Sequence, residues 1–280
     1  MAKRNSCLRS RCRVVQMGIE RLHYYRAYLL ASALSVSIGC TSLGPAEREA
    51  LIRASDMYSR GNIDASLEQL NRLIQDHNNT IEISEAYYVR GLCRTRRGRR
   101  KEATEDFERA IQKSKREDLT AHCRASLATL AYRNGKWGEA AELYEKAIPY
   151  LPDKQPKDVI LYCAGKSLQR IGKWKKAAYQ FGRILRKFRS SRIASDARRM
   201  AGWRHEYFSI QLGAFKNADN ATDAVRSYRS KRLEAIQEYL TRDGGSLWVV
   251  RAGRYKTYKD ALAALPRARK IQPKAIIIPY

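Results

Sequence analysis

The hydrophobic and polar positions of this 280-residue chain follow two different periods. Between residues 47 and 190, apolar side chains recur every three or four positions, which is typical of amphipathic helices. After residue 206, short runs alternate between apolar and polar side chains, which is typical of β-strands. The pattern therefore predicts a long helical region followed by a smaller domain that contains both strands and helices.

The helical region is an internal repeat with a period of 37 residues. Each unit has a glycine, a small residue five positions later, a large residue four further on, and an apolar residue three beyond that. This spacing predicts a helix with a face that a neighbouring helix approaches closely, after a turn supplied by the glycine. The glycines are Gly61, Gly98, Gly135 and Gly172; the small residues are Ser66, Ala103, Ala140 and Ala177; the large ones are Leu70, Phe107, Tyr144 and Phe181.

These helix–turn–helix units resemble the tetratricopeptide repeat. Its signature positions are filled by Gly91 and Gly165, Tyr87, Trp137 and Trp174, and Pro152. The period is longer than the usual value of about 34 residues, so longer loops between units are expected. The resemblance covers four repeats at 47–190, of which the first is the weakest match. Residues 190–204 are expected to form a helix that caps the last repeat.

The resemblance implies a concave groove lined by the first helix of each repeat. Arginines recur two residues before the turn glycine, and tyrosines occupy neighbouring inward positions. Arginine binds carboxylates through two hydrogen bonds, so one interpretation is a groove for an acidic segment of a protein partner. The alternative is a solvated basic face without a specific partner. The predicted groove residues are Tyr88, Arg96, Tyr132, Arg133, Tyr162 and Arg170.

Residues 205–280 are predicted to form a β-α-β-β-α-β domain. The strands are expected at Tyr207–Leu212, 235–241, Leu247–Ala252 and after Pro273, with helices at about 219–233 and 257–270. The sequence Asp243-Gly244-Gly245 predicts a hairpin turn. Alternation points Phe208, Ile210 and Leu212 toward the helices. It places Ser209, Gln211, Gly213, Val249, Arg251 and Gly253 on the open face of the sheet.

Two related phrases, "SIQLGAF" followed by "ADNA" and "VRAGRY" followed by "KDA", resemble the SPOR domain. That family binds peptidoglycan, at glycan strands stripped of their stem peptides, and has an RNP-like fold of two βαβ halves. The expected fold class is therefore a TPR-like helical solenoid followed by a small α+β SPOR domain. Phe215 and Tyr255 could instead be hydrophobic plugs beneath loops, and Trp248 is expected in the core. The glycan-binding residues that the resemblance implies are Ser209, Gln211, Gly213, Phe215, Arg251, Gly253 and Tyr255.

The N-terminus resembles the signal segment of bacterial lipoproteins. Residues 27–39 carry no charge, follow a basic stretch and are too few to span a bilayer. "SIGC" ends at Cys40, the residue that this resemblance would lipidate, although Ser37 departs from the usual leucine. Residues 1–39 would be the signal peptide and 40–46 a lipidated linker. An ordinary signal peptide is the alternative, and Met1 and Met17 both remain possible starts.

The net charge of +27 favours a polyanionic partner: nucleic acid, an anionic membrane or an acidic polymer. The signal segment and the lack of an aromatic RNP pattern on the strands disfavour nucleic acid. Three cysteines, Cys93, Cys123 and Cys163, follow Cys40, without the spacing of a metal site or a disulfide framework. The histidines are scattered and no catalytic motif is present, so neither an enzyme nor a cofactor or metal is predicted.

Together these features predict a lipid-anchored protein of the bacterial cell envelope that faces the periplasm. The repeats would recruit a protein partner, and the C-terminal domain would bind bare glycan strands, in cell division or wall remodelling. The alternative function is a protein scaffold, or a nucleic-acid-binding protein, whose C-terminal domain does not bind glycan.

Overall fold

A computed structural model describes residues 42–242 and 245–279. The predicted signal peptide, Cys40, Asp243 and Gly244 lie outside the described residues. The chain forms two compact units, one up to Ala164 and one from Gly165 onward. Each unit is described by itself.

The first unit is built from pairs of antiparallel helices, as the period predicted. Its helices are α1 (Pro45–Ser59), α2 (Ile63–Asp76), α3 (Ile83–Arg96), α4 (Arg100–Lys113), α5 (Glu117–Arg133) and α6 (Trp137–Ala147), followed by a single 3₁₀ turn at Ile148–Tyr150. Helix α7 (Lys157–Arg170) begins in this unit and ends in the next.

The turn glycines all have left-handed backbone, which explains why the repeat needs glycine there. Their φ angles lie between +76° at Gly98 and +88° at Gly61. At the first turn, the amide of Gly61 donates to the carbonyl of Tyr58, and that of Asn62 donates to the carbonyl of Met57. This pair of bonds is the Schellman arrangement that ends many helices. The predicted glycine turns are confirmed.

A second column of glycines lets paired helices approach closely. A Cβ atom at Gly91 would lie 2.7 Å from the ring of Phe107, and one at Gly165 would lie 2.6 Å from the ring of Phe181. Both phenylalanines are buried. The signature glycines Gly91 and Gly165 therefore fit against the large positions, Phe107 and Phe181, across the helix pair.

The second unit starts with the end of α7, then α8 (Trp174–Lys187) and α9 (Ala194–Ala201). It continues with β1 (Phe208–Phe215), α10 (Ala218–Ser230), β2 (Ala235–Arg242), β3 (Gly245–Tyr255), α11 (Tyr258–Ile271) and β4 (Ile276–Ile278). The strands form an antiparallel sheet in the order β2-β3-β1-β4. The predicted βαββαβ order is confirmed.

The helices α10 and α11 cover one face of this sheet. Phe208, Ile210 and Leu212 are buried in a core with Val225 of α10 and Leu265 of α11. β1 and β3 run three residues beyond their predicted ends. Two register shifts between them, at Phe208/Ile210 and at Gln211/Gly213, let the pairing continue.

The core of the sheet domain also includes a side chain from the repeat helices. Trp174, the first residue of α8, lies 4.7 Å from Phe208 between ring centroids, and its indole nitrogen donates to the carbonyl of Lys256 at 3.2 Å. The guanidinium of Arg170 lies 4.5 Å above the ring of Tyr258. The end of α7 and the first residue of α8 therefore pack against the C-terminal domain.

Candidate functional site

The repeated Gly-x-aromatic phrases fold alike at the ends of β1 and β3. A Cβ atom at Gly213 would lie 2.7 Å from the ring of Phe215, and one at Gly253 would lie 2.4 Å from the ring of Tyr255. Gly253 also has a φ of +73°. Each ring lies back over its glycine and packs, half-buried, against the hydrophobic core. The geometry favours the plug interpretation of Phe215 and Tyr255 over direct ligand contact.

The register shifts change which residues share the open face. Strict alternation placed Gly213 beside Gln211, but after the shift Gly213 pairs with Val250, a core residue. The placement of Gly213 on the open face is therefore corrected. A β-bulge opposes two residues of one strand to one of the other, so alternation no longer assigns faces beyond it.

Ser209 is fully buried, with 0% of its surface exposed. Its hydroxyl oxygen lies 3.0 Å from the carbonyl oxygen of Ala252 and 2.7 Å from that of Gly253. The hydroxyl thus bridges β1 to the irregular part of β3. This corrects the prediction that Ser209 contacts a ligand, because its one polar group faces the backbone.

Arg251 does lie on the predicted face, but it is only 4% exposed. Its Nε donates to Glu238 Oε2 at 2.7 Å, and its Nη2 lies 3.3 Å from His205 Nε2. His205 Nε2 in turn lies 2.9 Å from Glu238 Oε1. The guanidinium stands 5.5 Å from the ring centre of Tyr207. Arg251 is therefore the centre of an internal charge network, which we call the Arg251 network.

The Arg251 network lowers the pKa of the Glu238 carboxyl group. Burial opposes its ionisation, but hydrogen bonds from His205 and Arg251, with the positive charge of Arg251, outweigh burial and lower its pKa. Glu238 is therefore held as a carboxylate, and it fixes the guanidinium in place.

Sequence reasoning missed the segment Trp203–Tyr207, which lies against the open face. The ring of His205 stacks on Tyr207 at 4.9 Å, and Trp203 meets His205 edge-on at 5.2 Å. The Trp203 indole nitrogen donates to the carbonyl of Tyr207 at 3.2 Å. The available signal was three aromatic or imidazole rings in five residues directly before β1, a stretch that the predicted boundary at residues 204 and 205 divides between the capping helix and the C-terminal domain.

Gln211 is the polar candidate whose side chain is unsatisfied. It pairs with Arg251 across β1 and β3 and with Ile276 across β1 and β4. Its side-chain oxygen is buried, and it finds no hydrogen-bond partner among the described residues. A buried acceptor without a donor destabilises the folded state. Gln211 as a residue is half-buried, so a ligand hydroxyl or amide N–H on the open face would supply the missing hydrogen bond if the side-chain amide turns outward.

The repeat residues predicted to line a groove do not share one environment in the structure. Tyr88 is 1% exposed and contacts Phe107, and Tyr162 is 2% exposed, so both are core residues and not groove residues. Arg170 packs on Tyr258 of the C-terminal domain. Arg96, Tyr132 and Arg133 are half-buried, and the Arg96 guanidinium lies 4.7 Å above the ring of Tyr58.

The first unit also contains a buried ionic network that the sequence did not indicate. Arg90 holds Asp106 through two hydrogen bonds, at 2.8 and 3.0 Å, and Arg94 Nη1 lies 2.7 Å from the same carboxyl group. Asp106 is completely buried. Charged residues on helices are usually solvated, so pattern alone gave no reason to place this group in the interior.

A shallow cleft of about 270 Å³ lies between α4, α5 and α6. Its lining includes the apolar side chains Leu127, Leu130 and Leu143 and charged side chains of both signs. The charged residues are Glu108, Lys136, Glu139, Glu142 and Lys146.

Three further features bear on function. Cys93, Cys123 and Cys163 are buried, and burial raises the pKa of the Cys93 thiol to about 11. Among the residues that the structure describes, no cluster of His, Cys, Asp or Glu side chains could hold a metal ion. Within the same residues, no helix is long and apolar enough to cross a membrane.

Comparison with known proteins agrees with the two-part fold. The family model of the SPOR domain matches residues 205–279, and a tetratricopeptide repeat model matches residues 82–153. A search of curated proteins returned no match. Among solved structures, YrrB, described as a TPR protein with an unusual peptide-binding site, is 17% identical, with a TM-score of 0.45, over 80% of this chain and 86% of that one. The chain therefore carries a tetratricopeptide repeat region and a SPOR domain, a member of a peptidoglycan-binding family.

Proposed function

We propose that the SPOR domain binds bare glycan strands of peptidoglycan at the open face of its sheet, around Gln211. The observation that carries this proposal is the buried, unpartnered side-chain oxygen of Gln211 on that face. Sugar hydroxyls and acetamido N–H groups are donors of the kind that this acceptor lacks. The family match supports a wall ligand.

The Arg251 network positions this surface. Because Arg251 is buried and held by Glu238, its part is to fix β3 opposite Gln211 and to support the ring of Tyr207. Tyr207 is half-buried, and exposed Arg254 also lies 5.5 Å from its ring centre. A tyrosine ring presents an apolar face to a sugar, and an arginine beside it donates to hydroxyls. Phe215 and Tyr255 stabilise the ends of β1 and β3 by packing against the hydrophobic core.

The test measures binding of the chain from residue 42 onward to purified sacculi, with and without prior amidase treatment. Wild type is expected to bind more after amidase treatment, because bare strands are then exposed. Gln211→Ala should lower the affinity for treated sacculi at least about tenfold, because that factor corresponds to the loss of one good hydrogen bond to a buried acceptor.

Gln237→Ala is the matched control. Gln237 is also a half-buried glutamine on a strand, but its amide is paired with the Thr222 hydroxyl at 3.3 Å, on the helix side. Equal loss in the two variants, or equal binding to treated and untreated sacculi, would refute the glycan proposal.

The repeats are proposed to bind a protein partner, with Arg96 and Arg133 contacting an acidic segment. Tetratricopeptide repeats are protein-interaction modules, and this supports the coarse role. Cross-linking from position 132 should capture such a partner, and Arg96→Glu with Arg133→Glu should abolish the capture.

The lipid anchor at Cys40, a position facing the periplasm and a role in division or wall remodelling belong to the same proposal. Fatty-acid labelling is expected in the wild-type chain and should be lost in Cys40→Ala. Labelling that persists in Cys40→Ala would exclude the anchor at Cys40. An envelope location would also disfavour nucleic acid as the physiological ligand.

A further inference from the structure

The positive charge of the chain is concentrated in its second unit. Residues 42–164 contain 21 Lys/Arg and 19 Asp/Glu, a net charge of +2. Residues 165–280 contain 27 Lys/Arg and 8 Asp/Glu, a net charge of +19. Within that unit, residues 165–204 alone hold 13 Lys/Arg and one Asp/Glu, or +12. The basic character is thus a local property of helices α8 and α9 and their flanks.

Most of these cations are exposed. Helix α8 buries Ala177, Phe181 and Ile184 on one side and presents Lys175 and Arg186 on the other. The loop after α8 and helix α9 extend the charge. We call this the basic surface; its exposed members are Lys175, Arg186, Arg189, Arg192 and Arg198.

Within residues 165–204, all of which the structure describes, no carboxylate is exposed. Asp196 is the single acidic residue there, and it is 4% exposed and accepts a hydrogen bond from Arg199 at 2.8 Å. At the centre of the α8 face stands Tyr179, which is 60% exposed, with the Arg186 guanidinium 5.9 Å from its ring centre. A ring this exposed contributes little to the core and is accessible to a ligand that contacts the cations around it.

We propose that the basic surface binds the anionic headgroups of a phospholipid bilayer. A charged bilayer attracts every nearby Lys and Arg and needs no fixed partner geometry, which fits cations spread over a helix, a loop and a second helix. Tyrosine has an apolar ring and a polar tip, and it is enriched at the headgroup level. A nucleic-acid strand would need successive aromatic side chains for base stacking, but the exposed face of α8 carries Tyr179 alone.

This membrane contact goes beyond the proposed glycan binding and does not depend on it. It uses residues outside the sheet face, and it would act whether or not Cys40 carries a lipid. Its effect would be to hold the C-terminal unit close to the membrane surface.

The experiment uses the chain from residue 42 onward, which contains every helix and strand described above and lacks the hydrophobic segment at 27–39. Co-sedimentation is measured with vesicles of phosphatidylcholine alone and with vesicles that also contain phosphatidylglycerol, at low and at raised salt. The test variant combines Lys175→Gln, Arg186→Gln, Arg189→Gln and Arg192→Gln. The control combines Lys231→Gln, Lys259→Gln, Lys270→Gln and Lys274→Gln, four exposed lysines of the sheet domain with the same total charge.

Wild type should bind the phosphatidylglycerol vesicles, and salt should weaken that binding. Each basic residue near an anionic surface is worth about fivefold in affinity, so the test variant should lose more than about tenfold and the control less than about threefold. Circular dichroism and sacculus binding should stay unchanged in both variants, which separates failure of this proposal from failure of glycan binding.

Equal losses in the two variants would show that only net charge matters and would overturn the proposed surface. Binding to phosphatidylcholine alone would overturn the electrostatic basis. A single-stranded oligonucleotide that binds more tightly than the vesicles, and is lost in the same variant, would replace the membrane with nucleic acid.

Discussion

At the scale of single residues, Gln211 and Arg251 show how far a strand pattern can be read. Alternation placed both on the open face, and they do pair across β1 and β3. It could not show that Arg251 is enclosed, because that depends on Trp203–Tyr207 lying against the face. Nor could it show that Ser209 is satisfied by backbone carbonyls, since the bulge that brings them close leaves no trace in the alternation.

The Arg251 network gives a pH dependence that can be checked at Glu238. Its pKa in the folded state is lowered, so the stability it contributes is present above the ordinary pKa of 4.5 and is lost as the pH falls through the lowered folded value. Wild type should therefore be more stable than Glu238→Gln at neutral pH, and the difference should disappear as the pH falls below the lowered pKa of Glu238 in the folded state. Thermal unfolding of both proteins over a series of pH values from neutral downward measures this.

The exposed Glu234→Gln serves as the control, because it removes a carboxylate just before the same strand without touching Arg251. If Glu234→Gln lost as much stability as Glu238→Gln at neutral pH, the effect would belong to overall charge and not to the network.

At the scale of elements, the glycine period predicted helix pairs correctly because two physical needs recur in each repeat. Gly98 and its equivalents take a left-handed turn, and Gly91 and Gly165 leave room for a phenylalanine ring. The groove side chains were harder to predict. Helix α3 is buried continuously from Ile83 to Cys93, so it has no polar stripe to separate groove from core, and Tyr88 was misplaced for that reason.

Alanine substitutions at Gly98 and Gly138 distinguish the effect of backbone strain from the effect of side-chain packing. An added Cβ would meet nothing within 4 Å at either position, but only Gly98 has a left-handed φ, of +76°. Gly98→Ala should therefore cost about 1–2 kcal/mol of unfolding free energy from strain alone. Gly138→Ala, within α6, should be neutral or stabilise by up to about 1 kcal/mol. Urea unfolding of both variants decides this; a stabilised Gly98→Ala would contradict the turn assignment.

At the scale of the whole molecule, the SPOR family match begins later in the chain than the hydrophobic core of the C-terminal domain does. The model matches residues 205–279, but Trp174 contributes to the core around Phe208. Sequence spacing identified Trp174 as a signature residue of the repeat, and its place at the start of α8 agrees with that. The pattern contained no sign of its second contact, because contacts between distant segments depend on how the segments pack.

Trp174 should consequently be needed for the stability of the C-terminal domain. Trp174→Ala removes its contact with Phe208 and its hydrogen bond to Lys256, and it should cost about 3–5 kcal/mol. The exposed Tyr179→Ala on the same helix should cost less than about 0.5 kcal/mol. A fragment of residues 205–280 should unfold at lower urea than one of residues 165–280. Equal midpoints for the two fragments would show that the sheet domain does not need α8.

The strand order β2-β3-β1-β4 has a further consequence for how this sheet assembles. β2 and β3 meet across a short hairpin, with Thr241 opposite Ser246, whereas β1 pairs with β4 through Ser209 and Ile278, which are 69 residues apart. Closing the longer loop costs roughly 2 kcal/mol more in chain entropy. Pairing of β1 with β4 thus raises the contact order of the domain, so we expect the strand that carries Gln211 to join the sheet late and to slow its folding.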